Sequence, residues 1–200
     1  MTSSLGPSFI EEIREKLRAH EPRRIPPEGR PPAGVLLLLY DVDGRTHLLF
    51  TRRTDLVEHH KGQICFPGGA REEGDSDLLY TALRETSEEV GVRPEDVEPI
   101  GQLDDIVTFG SNFVISPYVG VLFGSVPYPF DHARHEVEEV LEVPLEHLLD
   151  SGNVVREVRR LGEHDVEMQS YRFGDQVIWG ATARILKQLL DFLAKEGLGS

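Results

Sequence analysis

The segment that decides the fold of this 200-residue chain is Arg84-Glu85-Thr86-Ser87-Glu88-Glu89-Val90-Gly91. It closes the strongest helical pattern in the sequence, which predicts a helix over residues 77–90 that stops at Gly91. The apolar stripe of this helix consists of Leu78, Leu79, Ala82, Leu83 and Val90. On such a helix Glu85, Glu88 and Glu89 occupy positions i, i+3 and i+4, so their three carboxylates leave from one face.

Two interpretations fit this carboxylate face. Neighbouring glutamates usually form a solvated acidic surface. Here the opposite helix side is apolar and a Gly68-Gly69 pair stands upstream, which favours a functional site, and a hard divalent cation would relieve the repulsion. Ligands that are all oxygen atoms favour Mg²⁺ or Mn²⁺ over zinc. Arg84 lies one turn before Glu88, so it can pair with Glu88 and orient it.

The composition excludes several classes of protein. Acidic residues outnumber basic ones by 35 to 21, which gives a formal charge of −14 and argues against a protein that coats nucleic acid. The single cysteine, Cys65, excludes an internal disulfide framework and a cysteine-rich zinc site. The longest apolar run, residues 35–40, is too short to span a membrane, and the N-terminal residues show no signal pattern. We expect a soluble, cytoplasmic protein with no nucleic-acid or membrane partner, and its oligomeric state stays open.

The remaining sequence divides into a lead-in and one domain of the α/β or α+β class. Residues 1–32 are expected to form a short amphipathic helix and an extended segment with five prolines, and residues 33–195 the domain. Predicted strands cover residues 35–40, 47–51, 97–104 and 113–123, a strand that ends at Cys65 or Phe66 before a tight turn, and a hairpin of 154–158 with 168–173. Further helices are predicted from Leu145 and over 178–195. Trp179 is predicted as a core anchor, and Cys65 as a small buried residue that is not a nucleophile.

With Gly69 and Asp75, the segment 84–92 resembles the Nudix box of enzymes that hydrolyse a nucleoside diphosphate linked to another group. The interval from Asp75 to Arg84 is one residue longer than usual, and Thr86 replaces an aliphatic residue. The longer interval is typical of the coenzyme A pyrophosphatase subfamily. Similarity to that subfamily extends to Leu48-Leu49-Phe50-Thr51-Arg52-Arg53-Thr54, Leu56, His60, Gly62, Phe66-Pro67-Gly68-Gly69 and the segment 178–186, and covers roughly residues 33–190.

This resemblance implies a Nudix fold over residues 33–195, with a mixed sheet between helices in an α/β/α sandwich. It also implies attack of water on one phosphorus of coenzyme A or a derivative. The products would be 4′-phosphopantetheine, or its acyl form, and adenosine 3′,5′-bisphosphate. One alternative is hydrolysis of ADP-ribose, a dinucleotide polyphosphate or an oxidised nucleotide. A binding module without activity is a second alternative, which the intact Arg84, Glu85, Glu88 and Glu89 disfavour.

The resemblance also assigns roles to individual residues. Glu85 and Glu89 are the expected Mg²⁺ or Mn²⁺ ligands, with Glu88 as a third ligand or an outer partner and the Gly68 carbonyl as a further one. Gly68 and Gly69 allow the backbone to approach the phosphates. The general base stays open among Glu88, Glu136 and Glu139. The expected phosphate contacts are Arg52, Arg53, His60 and Lys61, although Arg52 and Arg53 also fit exposed charges at a strand end.

Overall fold

A computed structural model describes residues 7–55, 62–108, 110–124, 127–161 and 164–197 of the chain. The α-helices in these ranges are α1 (Pro7–Arg18), α2 (Leu78–Val90), α3 (Leu145–Leu149) and α4 (Gly180–Lys195). The strands are β1 (Pro32–Val42), β2 (Arg45–Arg53), β3 (Ile64–Cys65), β4 (Gly68–Ala70), β5 (Val97–Gln102), β6 (Ile106–Val107), β7 (Val114–Leu122), β8 (Val137–Pro144), β9 (Val154–Leu161), β10 (His164–Phe173) and β11 (Gln176–Ile178).

The apolar run of residues 35–40 is continuous because β1 is covered on both faces. Leu37 and Leu39 join one hydrophobic cluster, and Leu36 and Leu38 join a second cluster on the opposite face. Successive side chains of a strand point to opposite faces, so a strand buried on both sides needs apolar residues at every position.

The main sheet is mixed and follows the order β3-β2-β1-β7-β5, with β4 paired to β1, β6 to β7 and β8 to β2. Strands β1 and β7 run parallel, and the other pairings in this sheet are antiparallel. Strands β9, β10 and β11 form a separate antiparallel sheet. Because β3 and β4 lie next to β2 and β1, they bring the Gly68-Gly69 pair into the main sheet.

Helices cover both faces of the main sheet. Helix α1, through Ile13 and Leu17, packs into the same cluster as Leu186 and Leu189 of α4. Helix α2 packs on the other face, where Ala82 belongs to the second cluster. The predicted α/β/α sandwich is therefore confirmed.

The helices predicted at the N-terminus, over 77–90, from Leu145 and over 178–195 are confirmed, as are the first hairpin and the hairpin of β9 and β10. The predicted strand ends at Cys65 as β3, and the chain bends at Pro67 as expected. Gly68 and Gly69 then belong to the short strand β4, because residues 68–70 pair with β1. Strand β8 was not predicted.

The prediction that Trp179 anchors the core is wrong. Its side chain is 48% exposed, and its neighbour Ile178 is the buried residue at this point of the chain. Helix α4 begins one residue later, at Gly180, so Trp179 lies just before the helix.

Candidate active site

Helix α2 holds the predicted carboxylates in a fixed register because both of its ends are capped. The Asp77 side chain accepts a hydrogen bond from the Tyr80 backbone N–H (2.7 Å) at the start of the helix. Gly91 ends it in the left-handed conformation (φ +72°) and donates its N–H to the Ser87 carbonyl. The stop predicted at Gly91 is therefore confirmed.

The three glutamates of α2 lie in different environments. The Glu89 side chain is 3% exposed, that of Glu85 17% and that of Glu88 60%. Burial raises the pKa of Glu89 to about 8, Arg53 opposes the shift, and the charges of Glu85 and Glu136 add to it. Burial also raises the pKa of Glu85. The helix therefore presents one buried, one partly buried and one solvent-facing carboxylate.

Glu89 is incompletely satisfied. Its Oε1 lies 3.5 Å from Nη1 of Arg53, and the nearby Gly68 backbone N–H lowers the pKa of the carboxyl only slightly against the effect of burial. Its other oxygen, Oε2, is buried and has no hydrogen-bond partner. A buried carboxylate oxygen without a partner is costly, so this oxygen is a good candidate for a metal ligand.

The glycine pair is required by the close approach of strands and helix. A Cβ added to Gly69 would stand 2.5 Å from the carboxylate of Glu85. Gly68 has φ +149°, and a Cβ there would stand 2.4 Å from the Gly34 carbonyl oxygen. No other residue type fits either position without movement of the backbone or of Glu85.

Arg84 organises the cluster through a partner that the sequence analysis did not assign. It makes a bidentate contact to the buried Asp75, with Nε to Oδ1 at 3.0 Å and Nη2 to Oδ2 at 3.1 Å. These bonds, led by those from Arg84, hold the pKa of Asp75 well below its usual range. The Nη1 atom of Arg84 then contacts Glu85 (3.0 Å) and Glu88 (3.1 Å). The predicted Arg84–Glu88 pair is thus present, and Arg84 also holds Glu85 in place.

The two predicted phosphate-binding arginines both contact carboxylates. Arg52 lies 3.3 Å from Glu138 and 3.0 Å from Glu139, because β8 pairs beside the end of β2. Arg53 contacts Glu89, as described above. Their role toward substrate stays a prediction. His60 and Lys61, the other two predicted contacts, lie outside the described residues.

The three candidates for the general base differ in their ion-pair partners. Glu88 is bound to Arg84 and faces solvent, and Glu139 is bound to Arg52. Glu136 lies close enough to raise the pKa of both Glu85 and Glu89, and its ion-pair partner is His135 at 3.5 Å. Of the three, Glu136 is the one that is not bound to an arginine.

The loop of residues 131–136, which the sequence analysis singled out only for Glu136, is fastened to the carboxylate cluster. The Ala133 N–H donates to the Glu89 carbonyl (2.9 Å), and the Thr54 N–H donates to the Glu136 carbonyl (2.9 Å). The loop also carries Arg134, which is exposed and has no side-chain partner in the part of the chain that the structure describes. Its sequence carries no motif, so only the tertiary contacts reveal it.

The residues at this site fit a hard divalent cation in their chemistry. The donors are carboxylate oxygens and the backbone of the glycine pair, and Oε2 of Glu89 is a buried acceptor without a partner. Within the described ranges, no three acidic, histidine or cysteine side chains already stand in an arrangement that encloses a metal ion. Cys65 is half-buried and not fully buried as predicted, but desolvation still raises the pKa of its thiol to about 11, so it fits no role as a nucleophile. None of the helices in those ranges has the length and apolarity needed to cross a membrane.

Comparison with known proteins agrees with this geometry. The profile of the NUDIX domain family matches residues 30–161. The chain is 37% identical over 144 residues to an uncharacterized Nudix hydrolase, NudL, of Cronobacter sakazakii, with 71% of this chain and 72% of the relative covered. It is 38% identical over 145 residues to NudL of Klebsiella pneumoniae (strain 342), with the same coverage of 71% and 72%.

Solved structures support the same fold. The crystal structure of a MutT/nudix family protein from Enterococcus faecalis superposes with a TM-score of 0.60 at 18% identity, and covers 93% of this chain and 70% of that protein. This likeness shows the Nudix fold that the sequence analysis expected. The match over residues 30–161 and the identity to NudL carry the family assignment: this chain belongs to the Nudix hydrolases, enzymes that act on nucleoside diphosphate derivatives.

Proposed function

We propose that this chain is a Mg²⁺- or Mn²⁺-dependent coenzyme A diphosphatase, which hydrolyses coenzyme A or a derivative to 4′-phosphopantetheine, or its acyl form, and adenosine 3′,5′-bisphosphate. The observation that carries the substrate class is the segment from Leu48 to Gly69, whose motif resembles that subfamily. Its described parts form β2, β3 and β4 and end at the carboxylate cluster. We assign catalysis to residues 33–195, and α1 of the lead-in contributes to the core.

In this proposal Glu85, Glu89 and the Gly68 carbonyl hold the metal, and Glu88 supports it from outside. When bound, a divalent ion neutralises charge on the diphosphate and lowers the pKa of an attacking water. Asp75 and Arg84 keep Glu85 oriented, as partners of ligands do at metal sites. Glu136 accepts the proton of the attacking water, because it lies beside Glu85 and Glu89 and no arginine side chain that the structure describes engages it.

The anionic substrate requires cations in an acidic protein. Arg53 lies at the cluster itself, and Arg134 is exposed on the adjoining loop without a side-chain partner among the described residues. We assign both to the phosphates, with Arg52 beside them on β2. A guanidinium suits this task because it binds phosphate oxygens in a bidentate way.

The test is product analysis with coenzyme A, ADP-ribose, a dinucleotide polyphosphate and nucleoside triphosphates, with Mg²⁺, with Mn²⁺ and with chelator. We expect coenzyme A to have the highest kcat/KM and the chelator to abolish activity. Glu89→Gln should lower kcat by about 10³-fold or more, since it removes charge that organises the transition state, and should weaken divalent-ion binding. Glu146→Gln, an exposed position on α3, serves as the control. A preference for another diphosphate would refute the substrate class, and an active Glu89→Gln variant with unchanged ion affinity would refute the metal assignment.

A further inference from the structure

The one tryptophan of the chain lies on a small cavity away from the carboxylate cluster. The cavity has a volume of about 290 Å³ and opens between the three-stranded sheet and the start of α4. Its lining consists of Glu157, Met168, Gln169, Ser170, Val177, Trp179 and Gly180. Trp179 is 48% exposed there, and Val177 is also exposed.

Packing and capping do not account for this tryptophan. Ile178 anchors this part of the chain in the core with no exposure, and the Trp179 side chain makes no capping hydrogen bond to α4. Leaving a large aromatic and a valine in water forgoes the gain of burying them, about 25 cal/mol for each Å². Apolar surface exposed inside a concavity is typical of a binding site.

The cavity combines an aromatic face with a hydrogen-bonding group. Ser170 lies on the same sheet face as Val177, because β10 pairs with β11 and successive side chains alternate faces, and its hydroxyl, which can donate and accept, has no side-chain partner in the described ranges. The volume fits a single planar ring system better than a whole cofactor, since complete ligand sites span roughly 300–1,000 Å³. Nucleobases stack on aromatic side chains and offer both donors and acceptors at their edges.

The position of the cavity relates it to the active site. Strand β11 packs against β3, and the Thr182 hydroxyl of α4 donates to the Ile64 carbonyl on β3 (3.0 Å). Strand β3 continues within three residues into Gly68 of the glycine pair. The segment that carries Trp179 is therefore fastened to the strand that leads into the site of hydrolysis.

We propose that this cavity binds a purine ring, stacked on Trp179. Such a ring could come from the adenine of the substrate, a source that rests on the proposed function. It could also come from a separate purine nucleotide. The stacked ring covers Trp179 and Val177, and the Ser170 hydroxyl bonds to its polar edge.

Trp179 is itself the probe, because the chain contains no other tryptophan. Its fluorescence intensity is measured during titration with AMP, adenosine 3′,5′-bisphosphate and, as a control without a base, 4′-phosphopantetheine. We expect both adenine compounds to lower the intensity saturably and 4′-phosphopantetheine to leave it unchanged. The measurement needs no hydrolysis, so it stands even if coenzyme A proves not to be the substrate. An intensity that no adenine compound lowers saturably would overturn the proposal.

Kinetics then identify the source of the ring. Stacking of a base is worth roughly 1–3 kcal/mol, so if the ring is the substrate's adenine, Trp179→Ala should raise KM about 5- to 150-fold with little change in kcat, and Trp179→Phe should restore most of the loss. Phe123→Ala, at another large apolar side chain that is 48% exposed, should leave KM unchanged. If the wild type shows saturable quenching but Trp179→Ala leaves KM unchanged, the cavity binds the purine of a separate nucleotide. That result supports the proposal and excludes the adenine of the substrate as the source.

Discussion

The buried carboxylate of Glu89 predicts an unusual dependence of stability on pH. Its pKa is about 8 in the folded chain against 4.5 for an ordinary glutamate. Between these values the folded protein holds a proton that the unfolded chain has released. Stability therefore falls as pH rises from about 4.5 to about 8 and stays low above that range. The loss due to this one group is on the order of 3–5 kcal/mol, since each pKa unit corresponds to about 1.4 kcal/mol.

Glu89→Gln isolates this contribution. Glutamine has nearly the same shape and does not titrate, so the variant should lack the loss between about pH 5 and about pH 9. An amide buried without a partner has a cost of roughly 1–3 kcal/mol, but that cost is the same at both pH values and cancels in their difference. The assay is urea unfolding of both proteins in chelator at the two pH values. Glu146→Gln is the control, which we expect to behave like the wild type because its carboxylate is exposed.

Two outcomes would refute this reasoning. If the wild type and Glu89→Gln lose the same free energy of unfolding between the two pH values, Glu89 is not the group responsible. If raising the pH stabilises the wild type relative to the variant, the sign of the predicted effect is wrong. Mn²⁺ added at the higher pH should return most of the lost stability to the wild type and little to the variant, because an ion that binds the ionised carboxylate stabilises the folded state.

Three further outcomes follow from the site. Asp75→Asn removes the charged partner of Arg84 and should lower metal affinity, measured by titration calorimetry, about 10- to 100-fold. Gly69→Ala places a Cβ 2.5 Å from the facing glutamate carboxylate and should lower kcat/KM more than tenfold, whereas Gly74→Ala, with no atom within 4 Å of its added Cβ, should match the wild type. Arg53→Ala should lower kcat/KM for coenzyme A about 10- to 150-fold. An equal loss with dephospho-coenzyme A would assign Arg53 to the diphosphate, and a smaller loss would assign it to the 3′-phosphate. A change within twofold for both substrates would show that Arg53 takes no part in recognition.

Much of the fold follows from patterns within ten or so residues. The helix over 77–90 is set by an apolar stripe, the Asp77 cap and the Gly91 stop, all of which lie inside one short segment. The first hairpin is similarly local, because Asp43 and Gly44 both adopt positive φ at its turn. The residues that determine such elements lie within the elements themselves, so local sequence patterns predict them.

Strand β8 shows why local sequence patterns do not predict every element. Its residues from Val137 to Pro144 include several glutamates, which are poor strand formers. The strand exists because it pairs with β2, some ninety residues earlier in the chain, where Arg52 stands opposite Glu139. A strand that depends on a distant partner leaves a weak signal in its own sequence. The prediction for Trp179 fails for the opposite reason, since a large aromatic side chain is highly buried on average.

Charge explains why the site was only partly predictable. Three glutamates on one helix face repel one another, so the fold must supply cations, and the sequence pattern contains only Arg84. The second cation, Arg53, comes from the end of β2 and contacts Glu89, while Arg52 beside it is engaged by two glutamates of β8. Arginines that look available for phosphate in the sequence are thus already held by carboxylates in the fold. An anionic substrate must exchange these contacts or bind cations elsewhere. Under the proposed function, a divalent ion and Arg134, which has no side-chain partner among the described residues, would therefore carry more of its recognition than the sequence motif alone predicts.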